Sequence, residues 1–159
     1  MTLTRTERRA QIDATRRLAE ELAAEFTEKA AAPGATEADR LNAETAAMIL
    51  DLARTKVRYL DREEAEAMIA EAEAATDDLT RATYEEIADL IREGQTELTS
   101  GPIKEVIDHT VARSEAREAA FLDRQDDHEL AMWSEAVENL TLLAHGKLPV
   151  IAEGSERQQ

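Results

Sequence analysis

Cysteine is absent from this 159-residue chain, which excludes disulfides and thiolate metal sites and leaves the redox compartment open. Aromatic side chains are scarce: Phe26, Tyr59, Tyr84, Phe121 and Trp133 are all there are. Much of the 43% hydrophobic fraction is alanine, so few large anchors are available and thin helix–helix packing is expected. The three prolines and five glycines sit at apparent boundaries between segments. No stretch of about 18 apolar residues occurs, so no membrane span is predicted. The start of the sequence lacks the apolar region of a secretory leader. A soluble, cytoplasmic protein is the default expectation.

What is present is acid, and it is unevenly placed. The 35 Asp and Glu against 19 Lys and Arg leave a net charge of −16. Residues 61–100 hold thirteen acids against three arginines, for −10, and 101–146 hold ten against four bases, for −6. Residues 1–17 are instead +3, with Arg5, Arg8, Arg9, Arg16 and Arg17 against Glu7 and Asp13. Such asymmetry bears on partners and association rather than on fold.

The periodicity is helical throughout, and the class predicted is all-α: a bundle of five to six helices. Thr4 to about Ala32 places Ile12, Thr15, Leu18, Leu22 and Phe26 on one stripe and ends at Pro33-Gly34. Thr36 with Asp39 is an N-cap of capping-box type. The second helix runs to about Leu60, with Leu41, Thr45, Met48, Ile49, Leu52, Tyr59 and Leu60 inward. Asp61 with Glu64 signals a restart over 62–75, where Ala65, Met68, Ile69 and Ala72 face inward. Thr76 reads as the N-cap of a helix over 77–93, with Leu79, Thr83, Ile87, Leu90 and Ile91 inward and Gly94 at its end. From Pro102 to about Ala144 the pattern predicts one long helix or a helix pair. Its inner face includes Ile103, Ile107, Ser114, Phe121, Met132 and Leu140, with a kink expected near 123–127. Gly146 is placed to cap it. Residues 1–146 are expected to form one domain, with hairpin-like units at 4–60 and 61–95, and 147–159 a polar tail.

The sharpest constellation of possible chemistry lies in the acidic hairpin. Glu63-x-x-Glu66 and Glu86-x-x-Asp89 each lie about eleven residues from the turn near 76, so an antiparallel hairpin would bring four carboxylates level. Such a group favours a cation, and Mg²⁺ with retained waters suits oxygen ligands. The pattern resembles the ExxE…ExxD signature of the all-α nucleoside triphosphate pyrophosphohydrolases, the MazG-like family. The resemblance covers about 27 residues and implies that Glu63, Glu66, Glu86 and Asp89 would hold magnesium for hydrolysis of a triphosphate. The second acidic helix departs from that pattern, since it gives way at Arg92-Glu93-Gly94. Glu105 and His109, four residues apart, form at most a weak metal pair. No nucleophile elbow, phosphate-cradling glycine loop or HExxH occurs. The N-terminal arginines lack interleaved aromatics, so direct nucleic-acid binding is not expected.

A function exercised through surfaces is therefore expected ahead of catalysis, with no cofactor outside the magnesium alternative. Thin alanine-rich stripes commonly complete their burial against another chain, which points to homo-oligomers. The basic 1–17 segment, through Arg5, Arg8, Arg9, Arg16 and Arg17, complements the acidic body. An assembly, adaptor or scaffold component of the phage or mobile-element type fits this, in the cytoplasm or a virion. A second class is an inhibitor whose acids imitate the charge of DNA.

Overall fold

A computed structural model describes residues 3–113 and 115–147, with side chains outside 113–120. Within those residues the chain is all-helical. The elements are α1 (Arg5–Ala31), α2 (Glu37–Arg58), α3 (Arg62–Ala74), α4 (Asp78–Arg92), α5 (Gly101–Arg113) and α6 (Glu115–Ala144). They group into two compact units. One takes residues up to 54 together with those from 128 onward, and the other takes 55–127. The division thus falls inside α2 and inside α6.

Local chemistry sets the helix ends. Thr4 caps α1 by accepting from the Glu7 N–H at 3.1 Å. Before α2 the capping box closes in both directions: Asp39 N–H donates to Thr36 Oγ1 at 3.1 Å, and Thr36 N–H donates to Asp39 Oδ2 at 2.9 Å. The shorter aspartate reaches as a glutamate would. Asp61 caps α3 through the Glu64 N–H at 2.8 Å. The cap of α4 is Asp77, which accepts from the Thr80 N–H at 2.8 Å, rather than Thr76 one residue earlier. A carboxylate is the stronger cap and sits at the positive end of the helix dipole. Gly94 (φ +96°) and Gly146 (φ +73°) end α4 and α6 in the left-handed region that only glycine enters cheaply. Each lets the next N–H turn back to a carbonyl, Gln95 to Leu90 and Lys147 to Leu142, both at 2.9 Å.

In the first unit the core line of α1 is Ile12, Ala19, Ala23 and Phe26. Leu18, predicted inward, is 45% exposed. At about 100° per residue, Leu18 lies some 120° around the helix from Ile12, whereas Ala19 and Ala23 lie nearly in line with it. The buried face of α2 is Ala46, Ile49, Leu50 and Ala53. Leu41 and Met48, also predicted inward, are 54% and 60% exposed. The strip through 41, 45, 48 and 52 is a flank of α2, and the face centred on Ile49 supplies the core. From α6 come Met132, Trp133, Ala136, Leu140 and Leu143, with His128 and Asn139 buried among the polar residues. Alanines at three of these contact lines give the thin packing the composition predicts.

The second unit is built on α3, α4, α5 and the start of α6. Leu60, Met68, Ile87, Ile91, Leu98, Ile103, Ile107 and Phe121 form its core. Tyr84 stacks on Phe121 with centroids 4.7 Å apart and planes 41° inclined. Burial pushes the Tyr84 phenol above its ordinary range, and the Glu71 carboxylate adds to this. After Arg58 the chain leaves helical phase, so Tyr59 turns outward instead of inward. It pairs with Glu97 in an isolated bridge, with Leu60 N–H to Thr96 O and Leu98 N–H to Arg58 O both at 2.8 Å. Leu79, another residue predicted inward, is 60% exposed in the first turn of α4.

In the long C-terminal region α6 is helical through 123–127, so the chain does not break there. The acids there do not break the helix because Phe121 and Leu122 are buried just before them and Asp126 is itself 3% exposed. Ser114 and the tail from 148 onward lie outside the described residues.

Candidate interaction surfaces

The four acids of the ExxE…ExxD pattern stand on the antiparallel α3–α4 hairpin, but on its outer faces. In α3 the inward residues are Ala65, Met68 and Ala72. At about 100° per residue, Glu63 and Glu66 fall roughly 160° and 100° from Ala65. In α4 the inward residues are Thr83, Ile87, Ala88 and Ile91, and Glu86 and Asp89 fall about 100° and 160° from Ile87. All four are exposed. Glu66 accepts from Arg62 at 3.1 Å and Asp89 from Arg92 at 3.2 Å, each a pair within one helix. Among the described residues no group of three or more His, Asp or Glu side chains is arranged to hold a metal ion. The stripes that close the hairpin are the apolar ones, so they turn the carboxylates away from each other.

One of the four has another neighbourhood. Glu86 lines an open groove of about 490 Å³ between α4 and α5, together with Leu90, Pro102, Glu105, Val106 and His109. Leu90 and Val106 pack against the unit's core and give the groove an apolar floor. The i, i+4 pair Glu105 and His109, singled out from sequence as a weak metal pair, supplies part of its rim. Among the described residues Glu86 and Glu105 make no ion pair. By contrast, Asp108 on the same helix is held by Lys104 at 2.7 Å.

The arginines of the basic segment are placed unequally. Arg9 donates to Glu129 at 2.7 Å, tying α1 to α6 inside the first unit. Arg16 stays on its own helix, 3.5 Å from Asp13 and 3.9 Å from Glu20. Arg8 donates to the Leu3 carbonyl at 3.2 Å. Arg5 and Arg17 are exposed. Sequence reasoning treated the five as one group and missed the Glu129 partner, 120 residues away, which no local signal reveals.

Two carboxylates are held below the usual range by short-range donors. For Glu97 the chief cause is the Ser100 hydroxyl at 2.6 Å, with Arg58 helping from 3.5 Å. For Asp39 it is the Thr36 backbone N–H, with the Thr36 hydroxyl next. Both belong to turns that end or begin helices, and their role is to fix those turns.

No described helix is long and apolar enough to cross a membrane. No protein-family model, curated protein or solved structure matches the chain.

Proposed function

We propose that this chain is an assembly component that joins further copies of itself, the arginine-bearing start of α1 docking on the acidic unit of the next copy. One observation carries the reading: the basic segment 1–17 and the most acidic stretch of the chain belong to different compact units. Residues 1–17 are +3. Residues 55–127 hold twenty acids against nine Lys and Arg, for −11. Glu63, Glu66, Glu86 and Asp89 stand on solvent faces, where a partner's cations can reach them. A contact between two different surfaces is heterologous, so it closes into a ring or extends as a filament. That behaviour suits an adaptor ring, scaffold or structural subunit. Leu41 and Met48, exposed on one flank of α2, offer apolar area for the same purpose.

Magnitudes decide the conditions of the test. Copies at −16 repel at long range, but at 0.1 M salt the screening length is about 10 Å, so the repulsion between bodies is largely suppressed. Guanidinium–carboxylate contacts are shorter than that and persist until about 1 M, where screening reaches about 3 Å. Light scattering at these two salt concentrations tests the reading. Oligomers at 0.1 M that dissociate at 1 M support it, and a monomer at both removes it.

A second reading draws on the same outward acids: a rigid acidic hairpin occupies a nucleic-acid-binding site on another protein. Competition with duplex DNA for a basic DNA-binding protein separates it from self-assembly.

A further inference from the structure

The groove between α4 and α5 differs from the rest of the acidic surface in its floor. Its floor is apolar, through Leu90 and Val106, with Pro102 beside them. Two carboxylates flank that floor, Glu86 on α4 and Glu105 on α5, and neither makes an ion pair among the described residues. Two carboxylates beside an apolar floor suit a ligand that presents cations next to an apolar side chain.

From this we infer that the groove receives the first turns of α1 of a second copy, with Leu3 on the apolar floor and Arg5 and Arg8 against Glu86 and Glu105. The inference rests on the self-assembly reading and names the receiving site. Three features of the chain fit the occupant. Leu3 is 43% exposed at the head of α1, an apolar side chain open to solvent. Arg5 and Arg8 follow it within one and a half turns, in the segment of highest positive charge. The helix end capped by Thr4 carries the positive pole of the helix dipole, which adds to the attraction of an acidic groove. Arginine is also the better cation for this place than lysine. Its guanidinium pairs bidentately with carboxylates, and its stem covers apolar surface. Arg9 stays with Glu129 of its own chain and holds α1 in place while its head docks.

Charge exchange between full-length chains tests the contact. One variant reverses the groove (Glu86→Lys with Glu105→Lys), and another reverses the head (Arg5→Glu with Arg8→Glu). A third, Glu63→Lys with Glu73→Lys, makes the same charge change on exposed sites outside the groove. All change exposed or half-exposed residues, and circular dichroism verifies the fold. Light scattering at 0.1 M salt is expected to show self-association weakened at least tenfold in each of the first two variants alone. Mixing them is expected to restore it, because the reversed head meets the reversed groove, and the third variant is expected to assemble like the parent. The neutral pair Glu86→Gln with Glu105→Gln serves as a second groove variant and is expected to weaken assembly as well. If the groove variants assemble as the parent does, or the third weakens assembly equally, the groove is not the receiving site and self-assembly stands without it. If the parent itself is monomeric at every salt concentration, self-assembly fails and the groove assignment fails with it.

Discussion

Arg124 of α6 reaches Glu64 of α3, donating through Nη2 to Oε2 at 2.8 Å, and its Nε lies 3.5 Å from Glu71 Oε2. Both partners of the shorter pair are about three-quarters buried, at 23% and 28% side-chain exposure. The clasp sits one turn from Phe121, whose ring meets Tyr84. It therefore fixes the start of α6 on the α3–α4 hairpin by charge where aromatic packing fixes it by area. Partial burial places this pair above an ordinary surface ion pair, and removing the arginine would leave two carboxylates facing each other. Arg124→Met is expected to cost about 1–2 kcal/mol. A double-mutant cycle with Glu64→Gln, read by urea denaturation, is expected to give a coupling of about 1 kcal/mol. A coupling near zero would reduce the clasp to a surface pair.

The α2 faces give a sharper contrast. Ile49 and Met48 are adjacent, yet Ile49 is 3% exposed and Met48 60%. Ile49→Ala is expected to destabilise the chain by about 2–5 kcal/mol through lost burial and a cavity. Met48→Ala is expected to stay within about 0.5 kcal/mol. Trp133, the one tryptophan and 4% exposed, reports the unfolding by its emission. Equal costs at the two positions would mean that the strip through Leu41 and Met48 is the core face after all.

That contrast also marks how far the sequence could be read. Capping residues and glycines placed the ends of α1 to α4, the start of α5 and the end of α6 to within a few residues, because those signals act over one turn. The Thr36–Asp39 box and Gly94 are such cases. The choice between two apolar faces of α2 was not legible. Leu41, Met48 and Leu52 outweigh Ala46 and Ala53 in hydrophobicity, but small alanines are what let neighbouring helices approach. Of the site, the acids of α3 and α4 were legible as a pattern, and their direction was not. The groove joins Glu86 to Glu105 and His109 across a loop, a long-range pairing that no local spacing announces.

The turn at Glu97 responds to acid. Its carboxyl is held low in the folded chain, so it contributes stability that is complete above the ordinary carboxylate range and is lost as pH falls through the depressed folded value. Asp39 acts in the same direction. Ser100→Ala removes the largest cause at Glu97 and is expected to raise that carboxyl toward the ordinary range. It is also expected to flatten the loss of stability on acidification. Carboxyl NMR titration reads the first effect, and thermal melts across the acidic range read the second. An unchanged titration would show that Arg58 rather than Ser100 governs Glu97.

The outward acids make a further distinction possible. With Glu63, Glu66, Glu86 and Asp89 on solvent faces, Mg²⁺ is expected to raise the melting temperature no more than Ca²⁺ does at equal concentration. The quadruple variant to Gln and Asn is expected to melt at or slightly above the parent, because like charges are removed. Pyrophosphate release from a nucleotide panel with Mg²⁺, abolished by Glu63→Gln or Glu86→Gln, would instead require these carboxylates to converge and would restore the pyrophosphohydrolase reading.

If copies of this chain join through contacts of opposite charge, sedimentation velocity over a concentration series in 0.1 M and 1 M salt reads it. The expected mass rises with concentration above the 17.6 kDa of one chain in 0.1 M salt and returns to 17.6 kDa in 1 M salt. A single 17.6 kDa species at every concentration in both salts would contradict it.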